Sequence, residues 1–287
     1  MKNVKEPKTF NEQIEILKGR GLIIENEEEA KFILSNINYY RFTAYLITFK
    51  EGNNKYKNGT TFDLIYNIYK FDMELRSLII DILASIEISF RTYIAYTLAM
   101  NYGALGYLDK NNFINEVYHK GFISNLEKEK RNNSNNLFIK HHNEKYDGKL
   151  PIWVATEIMS FGMISKLYAN LLPKDKGYIK NNLCNVNPKL VTQWLQALTI
   201  IRNQCAHYGR IYNNTFPNIK IKKDDQCFNL SKNRIFSNIL AMKYLVLDES
   251  IWNKFFTSLQ QLINNYERYI DLELIGFPEK WIQILAK

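Results

Sequence analysis

From Phe62 to about Met100, Ile68, Phe71, Leu75, Leu78, Ile79, Ile82 and Ile86 recur at steps of three and four residues. That spacing gathers apolar side chains on one face of a 3.6-residue helix, and it does not fit a strand, whose faces alternate every second residue. Asp81 and Glu87 break the most apolar part, Leu78 to Ile88, which also falls well short of the ~20 residues that cross a bilayer. The stretch therefore predicts a long helix of an all-α protein with no membrane anchor. Within it Glu87 and Arg91 stand four apart, the spacing of an intrahelical ion pair.

The rest of the chain reads the same way. Thr9 is placed to cap a helix over Phe10–Lys18, which Gly19-Arg20-Gly21 stops, and Asn26 opens a second from Glu27 to about Asn36. Glu51–Thr61, rich in Asn, Gly and Lys, reads as a loop, so 1–61 is expected as an N-terminal helical segment and 62–287 as the main helical domain. An internal break is placed at the polar run 131–136. Leu137–Tyr146 reads as a short helix, and Ile152–Leu171 as another interrupted at Gly162. Pro217–Asn233, within an irregular insertion over 214–233, alternates Ile219 and Ile221 with Lys220 and Lys222, a weak sign of strand. Helices resume over Ile235–Tyr244 and Glu249–Tyr269.

With 46% hydrophobic residues the 287-residue chain can bury a large core. Lys and Arg number 38 against 29 Asp and Glu, a net charge of +9. The excess fits a polyanionic partner, but it fits equally a Lys- and Asn-heavy composition with no such meaning. Cys184, Cys205 and Cys227 have neither the pairing nor the spacing of a zinc site, and no secretory leader is apparent, so a reduced, cytoplasmic protein without metal or other cofactor is expected.

One motif carries chemistry: Arg202-Asn203-Gln204-Cys205-Ala206-His207, at the end of an amphipathic stretch beginning near Leu190. At ~100° per residue Asn203 and His207 lie roughly 40° apart, with Arg210 on the same stripe if the helix continues. Trp194, Ala197, Leu198, Ile201, Cys205, Tyr208 and Tyr212 gather on the opposite, buried side. Arg202 points to the flank of that stripe but is long enough to reach round, and an ever-charged guanidinium with an outward amide and imidazole can bind a phosphate and move a proton. Ordinary surface charges would have the same spacing. His141 and His142 point ~100° apart on a helix and cannot chelate one ion together; a phosphate contact or simple packing accounts for either.

Four blocks together carry a resemblance: Asn38-Tyr39-Tyr40-Arg41; Ser85-Ile86-Glu87-Ile88-Ser89-Phe90-Arg91; Phe138-Ile139-Lys140-His141 through Pro151-Ile152-Trp153; and Arg202 through His207. In order and spacing they resemble the Abi-like abortive-infection proteins of the AbiD and AbiF type, over about Tyr39–Asn213. That family is similar to the HEPN superfamily, which implies a HEPN-like helical bundle with additional helices packed around it. It also implies a phage-defence role, a structured non-coding RNA as partner, and metal-independent RNA cleavage by Arg202, Asn203 and His207. Arg41, Glu87, Arg91, His141 and Trp153 match the other blocks. Tyr208 and Tyr212 stand where some members have a second His and a Trp, which leaves the chain with one proton carrier in the motif.

Such a site cleaves by attack of the RNA 2′-hydroxyl on its neighbouring phosphate. Because two proton carriers serve that reaction better than one, a homodimer is expected. The competing expectation is a non-catalytic protein scaffolded on a folded RNA. Either way RNA contacts are expected from Tyr40, Arg41, Lys140, His141, Lys145, Arg210, Lys220 and Lys222.

Overall fold

The computed structural model describes residues 6–286, which divide into two compact units, 6–76 with Leu259–Asp271, and Ser77–Ser258 with 272–286. The boundary expected at 61/62 lies inside the first unit. Among the described residues no strand forms, only three isolated bridges, and the protein is all-α. No helix among them is long and apolar enough to cross a membrane.

In the first unit, α1 (Phe10–Gly19) begins as its sequence predicts: Glu12 N–H donates to Thr9 Oγ1 at 3.3 Å, and Thr9 N–H donates back to Glu12 Oε2 at 2.8 Å. That backbone donor, then Lys8, lowers the Glu12 carboxyl from 4.5 to about 2. α2 (Glu27–Asn36) is capped by Asn26, and its Ala30, Ile33 and Leu34 are buried, as are Ile14 and Leu17 of α1. A short α3 (Tyr39–Thr43) follows.

The first-unit part of α4 (Phe62–Tyr102) buries Ile65, Ile68, Phe71 and Leu75, and Phe62 stacks on Phe42 at 4.4 Å. Into this apolar seam the chain places a polar trio that the periodicity does not announce. Asp72, wholly buried, pairs with Arg76 and accepts from Tyr45 Oη at 2.5 Å. Burial, then the Asp72 charge, pushes the Tyr45 phenol upward.

In the second unit α4 buries Ile79, Ile82, Leu83, Ile86, Phe90, Ile94 and Leu98. Its end is fixed where Asn101 Nδ2 and Tyr102 Oη donate to the buried Asp175 carboxylate at 2.7 and 2.8 Å. The stretch after Asn101 holds a 17-residue helix, α5 (Glu116–Asn132), in which His119, Phe122 and Leu126 face inward. α6 (Leu137–Lys145) and α7 (Ile152–Ala155) follow.

The interruption expected at Gly162 falls instead at Met159–Ser160. Ser160 Oγ caps α8 (Phe161–Asn170), and Gly162 is helical. Arg91 holds this break by donating to both Glu87 and the Met159 carbonyl, the latter at 2.6 Å. α9 (Pro173–Ile179) leads to α10 (Pro188–Ala206), and Phe90 meets Tyr168 of α8 edge to face at 5.7 Å.

Residues 214–233 run irregularly apart from a short 3-10 turn, Lys223–Phe228. The alternation expected there is real, since Ile219 and Ile221 are buried, but no strand among the described residues pairs with it. The segment is tied instead to α10: Trp194 Nε1 donates to the Lys220 carbonyl at 2.8 Å, and Lys220 N–H to Gln193 Oε1 at 2.8 Å. α11 (Ile235–Leu245), α12 (Glu249–Tyr266) and α13 (Trp281–Ala286) complete the chain, α12 passing from the second unit into the first.

Candidate functional site

α10 starts at Asn187, whose Oδ1 accepts from Lys189 N–H at 2.9 Å, with Pro188 at the first helical position. Val191, Trp194, Leu195, Ala197, Leu198, Ile201 and Cys205 are buried, whereas Arg202, Asn203 and His207 are exposed. The face that the sequence assigns outward is outward.

The end of the helix differs from the expectation and sets the geometry of the site. α10 stops at Ala206 and His207 is its C-cap, with φ −94° and ψ 17°. Tyr208 N–H then donates to the Cys205 carbonyl at 3.0 Å and Gly209 N–H to the Gln204 carbonyl at 2.8 Å. These two bonds make a Schellman ending, with Tyr208 left-handed at φ +55° in the position that usually takes glycine. Tyr208, expected on the buried side, is 69% exposed as a result.

Arg210 cannot share the stripe of Asn203 and His207, because no helix carries it. It is half-buried, and its carbonyl accepts from Gln204 Nε2 at 3.2 Å and Asn214 Nδ2 at 3.0 Å. A Cβ at Gly209 would fall 2.4 Å from Gln204 Nε2, so a side chain there would push the Gln204 amide out of this clasp. Tyr212 is buried, but off the helix. The role of Gln204 and Gly209 is invisible in the apolar pattern, although a glycine just past a periodic stretch is itself a stop signal.

Arg202 Nη1 reaches Asn203 Oδ1 at 3.5 Å, and His207 N–H donates to the Asn203 carbonyl at 3.0 Å. No ion pair among the described residues engages Arg202 or His207. At 1.5 Å and about 100° per residue the two sit about 7.5 Å apart along the axis and about 140° apart around it, so it is the long Arg202 side chain that has to reach round the helix to share a phosphate with His207.

The other expected contacts are dispersed. Lys140, His141 and Lys145 are exposed on α6. Lys220 is exposed beside Gln193 and Trp194, about 13 Å along α10 from Arg202 by the same rise. Lys222 lies 4.0 Å over the Tyr244 ring. Tyr40, 85% exposed, and the half-buried Arg41 belong to the first unit. Glu87 and Arg91 are tied into the α4–α8 junction. Among the described residues no group of three or more His, Cys, Asp or Glu is placed to hold a metal ion.

A family model described as Abi-like protein matches residues 32–213, more than half of the chain. The chain belongs to the Abi-like family. The match takes in all four blocks of the sequence and closes just beyond the Schellman ending of α10. Membership associates this Abi-like protein with abortive infection, a form of phage defence. No curated protein and no solved structure matches the chain. All of α1, the first half of α2 and everything after residue 213 lie outside the Abi-like match, including the segment that presents Lys220 and Lys222.

Proposed function

We propose that this protein is a metal-independent endoribonuclease of the HEPN type, acting in phage defence and associated with a structured non-coding RNA. The observation that carries the reading is the end of α10: Arg202, Asn203 and His207 are all exposed to solvent within its last turns, while Ile201, Cys205 and the rest of the apolar stripe are buried. A cation and a proton carrier, neither held in an ion pair among the described residues, are what cleavage of a ribose-phosphate linkage requires.

In the reaction the 2′-oxygen attacks the adjacent phosphorus and gives up its proton, the bond from phosphorus to the 5′-oxygen breaks, and that oxygen takes up a proton. The products are a 2′,3′-cyclic phosphate and a 5′-hydroxyl. Arg202 stabilises the charge on the phosphorane, His207 moves the proton at the attacking or the leaving oxygen, and Asn203 orients the phosphate or His207. A second copy of the motif across a two-fold axis supplies the other proton carrier. Lys140, His141, Lys145, Arg210, Lys220, Lys222, Tyr40 and Arg41 serve as RNA contacts.

The second reading, an RNA-bound scaffold without catalysis, is favoured by one feature: each chain presents a single histidine at this face. The two separate in one experiment. Protein freed of nucleic acid is incubated with single-stranded RNA in EDTA beside His207→Ala. Cleavage by wild type alone supports the nuclease, whereas no cleavage by either, with equal binding of a folded RNA, supports the scaffold.

A further inference from the structure

Away from the α10 face, the second unit contains an open slot of 570 Å³ whose walls include His142, Tyr146, Asp147, Lys149 and Trp153. Its rings are unusually available. Trp153 is 52% exposed and Tyr146 50%, while Trp194, Trp252 and Trp281 are all buried, at 2, 8 and 6%. The Trp153 indole N–H has no partner among the described residues.

The slot is also built rather than incidental. His142 Nδ1 lies 2.7 Å from the Phe138 carbonyl, which fixes the ring, and its centroid stands 5.3 Å from that of Tyr146. Asp147 and Gly148 turn the chain with φ of +51° and +72°, and Lys130 Nζ donates to the Gly148 carbonyl. A Cβ at Gly148 would fall 2.8 Å from that Lys130 Nζ. Lys149 lines the slot and Lys145, next to Tyr146 in the chain, is exposed; neither is held in an ion pair among the described residues.

Flat ring faces beside uncommitted lysines match an unpaired nucleotide, which offers a π-face and a phosphate together. An apolar protein segment would leave the lysines unmatched. We propose that Trp153 and Tyr146 stack an unpaired base of a single-stranded nucleic acid, with Lys145 and Lys149 on the flanking phosphates. This makes the protein's RNA partner one with an exposed single-stranded segment, and it rests on the RNA-binding part of the proposed function.

The exposed indole reports on the slot directly. The probe is an oligodeoxythymidylate of about eight nucleotides, which lacks the 2′-hydroxyl and cannot be cleaved by the proposed reaction. Its binding is followed by tryptophan emission and, in parallel, by anisotropy of a labelled copy. Quenching of the exposed component is expected. Tyr146→Ala, which keeps the reporter, and Trp153→Leu, followed by anisotropy, each weaken binding about tenfold. Binding without quenching, or affinity unchanged in both variants, overturns the slot, as does the absence of any binding. The catalytic reading is scored separately: Arg202→Ala/His207→Ala should quench like wild type yet cleave no RNA. Cleavage by wild type without quenching sinks the slot alone, and quenching without cleavage sinks the nuclease alone.

Discussion

Two sets of charged groups on helices teach opposite lessons. On α4, Asp72 and Arg76, four apart, are buried and pair with each other and with Tyr45, while Glu87 and Arg91, also four apart, close on each other and on the Met159 carbonyl. On α10, Arg202 and His207 are five apart and exposed, with no carboxylate in an ion pair with either among the described residues. Spacing gives a first division, because four apart brings two side chains together and five apart turns them about 140° from each other, but it does not say which are buried. What separates them is whether the charge has been neutralised inside the protein. A buried pair consumes its own field and specifies the fold, whereas an exposed cation with no internal partner leaves its field for a ligand.

Substitutions can break that contrast. The largest effect on stability is expected from Asp72→Ala, which leaves the Arg76 guanidinium buried without its counter-ion; a loss of about 3 to 5 kcal/mol is predicted, read by urea denaturation. A loss below about 1 kcal/mol would mean that water reaches the cluster. Arg202→Ala and His207→Ala should do the reverse, leaving the denaturation midpoint within experimental scatter while lowering RNA cleavage by about 10² to 10³-fold or more. If either variant unfolds readily, its side chain belongs with the α4 groups after all.

Smaller effects sharpen the picture. The depressed Glu12 carboxyl belongs to the capping box of α1. Its folded-state value of about 2 lies below the unfolded 4.5, so its contribution is complete above about pH 4.5 and is lost as pH falls from there toward 2. Thr9→Ala should flatten that part of the acid-stability profile; an unaltered profile would show that other carboxylates govern it. Least of all, Tyr208→Gly relieves a left-handed aromatic residue and is expected to raise stability by up to about 1 kcal/mol. A decrease would show that Tyr208 is held there by contacts worth more than the strain.

Much of this was legible in the sequence where a local signal coincided with a tertiary one. Thr9 and Asn26 mark helix starts because their side chains replace missing backbone partners, and the α4 seam follows from a period that burial enforces. The inward stripe of α10 is of the same kind. Other features were not legible, for identifiable reasons. α5 hides behind Gly121 and a polar composition, although His119, Phe122 and Leu126 carry its period. Ser160 rather than Gly162 marks the break before α8, because capping depends on a hydroxyl and a helix tolerates a glycine. The apolar pattern runs past Ala206 to Tyr212, since Tyr212 is buried although it lies beyond the end of the helix. The slot around Trp153 needed coordinates, because sequence does not tell an exposed tryptophan from a buried one.

The central claim is that the Arg202–His207 face directs the 2′-hydroxyl of RNA onto its own phosphate, and a substrate altered by one atom tests it. In EDTA, the nucleic-acid-free protein is given an RNA and the same RNA with a single 2′-deoxy nucleotide on the 5′ side of the mapped cleavage position. The account predicts a 2′,3′-cyclic phosphate end from the first and no cut at that position in the second. Cleavage of the deoxy linkage, or a 3′-hydroxyl end from the unmodified RNA, would contradict it.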